Sequence, residues 1–129
     1  MKDDLTQRAL DVLNILWTNG EEMSSTDISD SMKGLTQSTV IAVLRNLASL
    51  GYVEAVGVKH SGKVLTRTYI ATDAAKEAVK HYFASYFQNV SGIVSLSEMI
   101  MCVIKTAPPE KQKEELTKLK KLLEEKAGE

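Results

Sequence analysis

Three apolar stripes of helical period, each closed by a glycine signal, give way to two β-branched segments around a polar turn, and that order leaves few folds open. Leu5, Ala9, Val12, Leu13 and Leu16 recur at the spacing that lines one face of an α-helix, and Asn19-Gly20 is a left-handed stop. Ser24 and Asp27 have capping-box spacing and open a shorter helix with Ile28 and Met32 inward, ended by Lys33-Gly34. Thr36 can N-cap a third helix, with Val40, Val43, Leu44 and Leu47 as its inner stripe and Gly51 as its close. Segments 52–58 and 66–71 are rich in β-branched and aromatic residues and flank the polar, glycine-containing stretch 59–63, so they read as a hairpin. Three helices and a hairpin with short connections are the order of a winged helix-turn-helix. The polar stretch before Ser24 is placed as its minimal third strand.

A longer helix follows, capped by Thr72. Its stripe of Ala75, Ala78, Val79, Tyr82, Phe83, Tyr86, Phe87 and Val90 has an aromatic half larger than a small winged domain needs for its own core. Gly92 breaks this helix. Ser95 and Glu98 form another capping box, opening a fifth helix with Leu96, Met99, Ile100, Val103 and Ile104 on one face. Pro108-Pro109 starts a sixth helix that carries Leu116, Leu119, Leu122 and Leu123 amid lysine and glutamate. These last helices are too thinly apolar for a core of their own, so a lone chain would expose an aromatic patch. Self-association as a C2 homodimer is the economical solution. Val79, Tyr82, Phe83, Tyr86, Phe87, Met99, Ile100, Val103, Leu116, Leu119 and Leu123 are its expected contacts. The expected fold is mainly α with a small β-hairpin: a winged helix-turn-helix domain over 1–72, then a C-terminal three-helix dimerisation region over 73–129.

The chain has 129 residues, 43% apolar and 26% charged, the balance of a soluble globular protein. No apolar run is long enough to span a bilayer, and the acidic, amphipathic start is unlike a signal peptide. The single cysteine, Cys102, excludes an internal disulfide and a cysteine-cluster metal site. A cytoplasmic location is the expectation. A net charge of −1 speaks against nucleic acid only until its distribution is read. Between residues 24 and 70, Lys33, Arg45, Lys59, Lys63 and Arg67 outnumber Asp27, Asp30 and Glu54, and a dimer would double this basic footprint. No phosphate-cradling glycine loop, spaced nucleophile and base, or facing carboxylate pair supports catalysis, and no cofactor is expected.

In such a fold the third helix enters the major groove by its N-terminal residues. Thr36, Gln37, Ser38 and Thr39 are placed to reach base edges or phosphates of double-stranded DNA, and glutamine can read adenine bidentately. Arg45, further along, suits a phosphate. Lys59, His60, Lys63 and Arg67 cluster on the hairpin, where phosphate contacts supply affinity without sequence information. Tyr69 is read as strand packing. Neither His60 nor His81 has a suitably spaced second ligand for a metal.

Several segments, in order, resemble the penicillinase repressor family. They are Leu5-Thr6 followed by Val12 through Trp17 and Gly20; Thr39-Val40 with Leu44, Leu47 and Gly51-Tyr52-Val53; Arg67-Thr68-Tyr69; and the tail from Ser97 to Ile104 and from Glu114 to Lys126. The resemblance covers nearly the whole chain. It implies a repressor that binds a palindromic operator as a homodimer, with the last three helices interlocked. It also implies induction by cleavage in the fifth helix by a membrane sensor-protease, which falls here near Met101-Cys102. Ile41 and Ala42 stand where family members carry polar or basic residues, so apolar contact with thymine methyls is expected in place of some hydrogen bonds. Two rival readings remain. One is a winged-helix protein-interaction module without specific DNA binding. The other is a metal- or redox-responsive repressor using Cys102 with Met99 and Met101, since such ligands suit a soft metal. Apolar neighbours are expected to blunt that thiol, and residues of this kind on an apolar helix are ordinarily packing residues.

Overall fold

In a computed structural model of the chain, residues 5–128 are described. They run α1 (Gln7–Asn19), β1 (Met23–Ser24), α2 (Ser25–Asp30), α3 (Gln37–Ser49), β2 (Val53–Ser61), β3 (Val64–Ala71), α4 (Asp73–Gln88), α5 (Leu96–Thr106) and α6 (Pro109–Ala127). The mainly helical architecture with a small sheet is that of a winged helix-turn-helix followed by three helices. Two compact units divide at Ala84/Ser85.

In the first unit the stripes meet as their spacing requires. Val12, Ile28, Val40 and Leu47 are fully buried, surrounded by Leu5, Ala9, Leu13, Leu16, Leu35, Leu44, Val53 and Ala75. Ala78, Val79 and Tyr82 pack against this core. The first part of α4 therefore shares the wing domain's core, past the boundary that the sequence places at residue 72. Thr6 caps α1 by accepting the Ala9 N–H at 3.1 Å, and Gly20 ends it at φ 77°, a left-handed conformation that glycine adopts without a Cβ penalty. Ser24 and Asp27 form the full capping box of α2.

That helix is shorter than the sequence implies. It stops at Asp30, Met32 is exposed, and Leu35 after the left-handed Gly34 fills the core instead. Helical spacing alone does not distinguish Met32 from Leu35 when a glycine turns the chain between them.

The sheet has strand order β1-β3-β2, all antiparallel. Met23 pairs with Tyr69 and Ser24 with Thr68, so the stretch before α2 does supply the third strand. The hairpin is longer than expected. Ser61 pairs with Val64 across Gly62-Lys63, where Gly62 at φ 67° takes the positive-φ place of a two-residue turn. Lys59 and His60 are thus strand residues whose polar character reflects solvent on the wing. Near its base β2 bulges, pairing Ala55 with Tyr69 and Gly57 with Thr68 and leaving Val56 over.

In the second unit α5 begins with the Ser95–Glu98 capping box, and α6 begins at Pro109, a position that needs no backbone donor. The Gln112 side-chain amide ties α6 to the chain before it, donating to the Ala107 carbonyl at 2.9 Å and the Lys105 carbonyl at 3.3 Å. No residue of α5 or α6 is buried. Among the described residues no helix is long and apolar enough to cross a membrane.

Candidate nucleic-acid interface

The burial of Val40, Leu44 and Leu47, with Val43 half-buried, turns the other face of α3 outward. Gln37, Ser38, Ile41, Ala42 and Arg45 lie on that exposed face, with Thr39 half-buried beside them. Ile41 is 43% exposed, a large apolar side chain outside the buried core.

Thr36 is occupied by capping. Its hydroxyl accepts the Thr39 N–H at 3.2 Å, donates to Thr39 Oγ1 at 2.9 Å and lies 3.4 Å from Ser38 Oγ. Gln37 reaches back to α2, its Nε2 donating to Thr26 Oγ1 at 3.0 Å and Ser25 Oγ at 3.3 Å. Both amide hydrogens are so engaged, and Oε1 is the end left to accept. Bidentate reading of adenine by Gln37 requires these hydroxyls to be released.

The wing cations differ from one another. Lys59 Nζ sits 2.8 Å from Asp27 Oδ2, a carboxylate that also accepts the Ser24 N–H at 3.0 Å in the capping box. The lysine holds the Asp27 carboxyl below the ordinary carboxylate value, with the Ser24 N–H adding to the effect. A phosphate must compete with this partner for Lys59. His60, Lys63 and Arg67 are exposed, and their side chains have no hydrogen-bond or ion-pair partner among the described residues. Val58, Val64 and Leu65 stand beside them, 63%, 66% and 59% exposed. Sequence reasoning placed only cations on this surface, because β-branched residues in a hairpin read as strand formers whether or not anything covers them. At the wing base the buried Thr68 donates to Glu22 Oε1 at 2.6 Å, tying β3 to the turn before β1.

The expected dimer contacts are only partly covered, with Val79 and Tyr82 sheltered by the first unit's own core. Phe83 and Tyr86 are 53% and 61% exposed, Val79, Tyr82, Phe87, Met99, Ile100 and Leu119 are half-buried, and Val103, Leu116 and Leu123 are exposed. Tyr82 and Phe83 make an edge-to-face pair with centroids 5.2 Å apart. Met101 and Cys102 lie inside α5, both exposed. The openness of Cys102 differs from the sheltered thiol expected from sequence, since Met101 and Val103 on either side of it are exposed as well.

The fold is similar to that of MepR, a transcription regulator of the Staphylococcus aureus multidrug efflux pump MepA, in its DNA-binding conformation. That match has 17% identity and a TM-score of 0.53, over 95% of this chain and 80% of the other. It is also similar to Bacillus subtilis PadR in complex with operator DNA, with 19% identity and a TM-score of 0.52 over 62% of this chain. The matched part is 48% of PadR, about half of that protein's length. These likenesses show the fold. A comparison with curated protein sequences gives no match. The penicillinase repressor family model matches residues 5–125, from the first buried leucine of the core to the last turns of α6. The chain belongs to the penicillinase repressor family.

Proposed function

We propose that this repressor binds a palindromic operator in the cytoplasm as a C2 homodimer, placing one α3 in the major groove of each half-site. The observation that carries the reading is the division of α3 into a buried inner stripe and an outward face of Gln37, Ser38, Ile41, Ala42 and Arg45. Ser38 and Arg45 supply polar contacts there, and Ile41 with Ala42 offers methyl groups to thymine C5. Lys63, Arg67 and His60 supply phosphate contacts from the wing, while Lys59 is available only by leaving Asp27. The homodimer is supported by the absence of buried residues in α5 and α6 and by the exposed aromatics of α4. A two-fold dimer then presents two reading helices, and half-site centres about 34–36 Å apart, or a multiple of that, are the expected spacing.

Selection from random duplex DNA with the purified protein tests the reading. Enrichment of a palindrome with thymine-rich half-sites is the expected result. Recovery of no common sequence would leave the winged-helix protein-interaction reading in its place. Cleavage by a membrane sensor-protease at Met101-Cys102, inside exposed α5, is the matching route of induction. Co-expression with such a protease should yield fragments ending there.

A further inference from the structure

A cleft of about 510 Å³ opens between α1 and α4 within the first unit, away from the outward face of α3, and two of the expected dimer contacts, Val79 and Phe83, are among its lining residues. Buried Leu13 and Ala75 and half-buried Leu10 and Val79 give it apolar walls, and Trp17 stands at its edge 42% exposed. Its volume is in the usual range for small-ligand sites.

The charges around the cleft are unevenly satisfied. Asp11 is occupied within α1, accepting from Gln7 Nε2 at 2.9 Å and pairing with Arg8 at 3.2 Å. Lys80 pairs with Glu77 at 2.8 Å. Lys76 has no carboxylate within salt-bridge distance among the described residues, and its ammonium lies over the Trp17 ring, 5.7 Å from the centroid. A ring face attracts a cation but does not neutralise it. The cleft thus joins an apolar trough, a stacking surface and a lysine that, among the described residues, is in no salt bridge.

We infer that the α1–α4 cleft binds a small organic anion with a planar apolar body, its carboxylate on Lys76 and its ring against Trp17. The site stands apart from operator binding. Trp17 is the chain's single tryptophan, so the ¹⁵N-labelled full-length protein shows one indole N–H resonance, and it reports on this cleft. The experiment titrates 2-naphthoate, with 2-naphthamide as its uncharged twin, at fixed protein concentration and without DNA. The expected result is a saturable shift with naphthoate. Lys76→Glu should weaken naphthoate at least tenfold and leave naphthamide within twofold. Lys76→Gln, which keeps the stem over the ring, should weaken naphthoate in the same direction, while Lys80→Gln should change it less than twofold. A resonance that does not saturate with either probe would overturn the site. So would equal binding of both probes with no effect of Lys76→Glu. A shift that follows protein concentration and ignores both probes would overturn it as well, giving the cleft to a second copy of the chain.

Discussion

Asp27 is bound from two directions, closing the α2 capping box through the Ser24 N–H and holding the wing through Lys59. Both donors favour the ionised carboxylate, so its folded pKa lies below the ordinary 3.8. A depressed folded value means that the stability Asp27 contributes is fully present above 3.8 and is lost as pH falls through the lower folded value. Lys59→Met removes the larger cause. The Asp27 carboxyl midpoint, followed by NMR titration, should then rise toward 3.8 while the Ser24 N–H still holds it below. An unmoved midpoint would dismiss the ion pair. Gly57 is constrained by space instead of by φ. A Cβ there would lie 2.9 Å from Glu22 Oε1 and 3.2 Å from Thr68 Oγ1. Gly57→Ala should therefore displace the Glu22–Thr68 hydrogen bond and cost about 1 kcal/mol in urea unfolding. In a Glu22→Ala background the cost should shrink, because the nearest obstructing atom is gone.

At the scale of elements, α3 has a special burden, since its inner face holds the core and its outer face is the candidate reader. Its start is fixed by the Thr36 hydroxyl on the Thr39 N–H. Thr36→Ala should cost about 1 kcal/mol of stability by leaving that donor uncapped. The same change should weaken operator binding more than it weakens folding, because Ser38 and Thr39 lose their anchor at the helix start. Parallel measurement of urea unfolding and DNA affinity would separate the effects, and equal losses in the two would reduce Thr36 to a cap alone. The stripes of α1 and α3 were legible in the sequence because helical period and burial coincide there. The end of α2 was not, since Gly34 reverses the chain and exchanges Met32 for Leu35 in the core. The length of the wing was also hidden. Its outer half has no buried face, so no alternation of apolar and polar residues marks it.

For the whole molecule, the exposed apolar residues of α5 and α6 set the expectation of a dimer. Val103 and Leu123 are each 59% exposed in the isolated chain, so charges there need not disturb its folding. If the proposed dimer forms through these helices, Val103→Glu with Leu123→Glu should turn it into a folded monomer in sedimentation velocity. Binding of a two-half-site operator should fall with it, and the dependence of affinity on salt should flatten as fewer phosphates are neutralised per bound particle. A double variant that remains dimeric would place the interface elsewhere, with the α4 aromatics the next face to test.

The order of three helices, a hairpin and three further helices was set by the sequence itself, because apolar period, caps and glycine stops are local properties of the chain. The family was legible in the same way, from segments in matching order. What the outward face of α3 and the wing have free to offer was decided only by tertiary structure. Gln37 is drawn onto the hydroxyls of Ser25 and Thr26, and Lys59 onto Asp27, through contacts between residues 11 to 32 positions apart. The cleft beside Trp17 likewise exists only where α1 and α4 come together. Neither helix encodes it alone, because its apolar wall and the Lys76 ammonium over Trp17 are set side by side only when two distant segments meet.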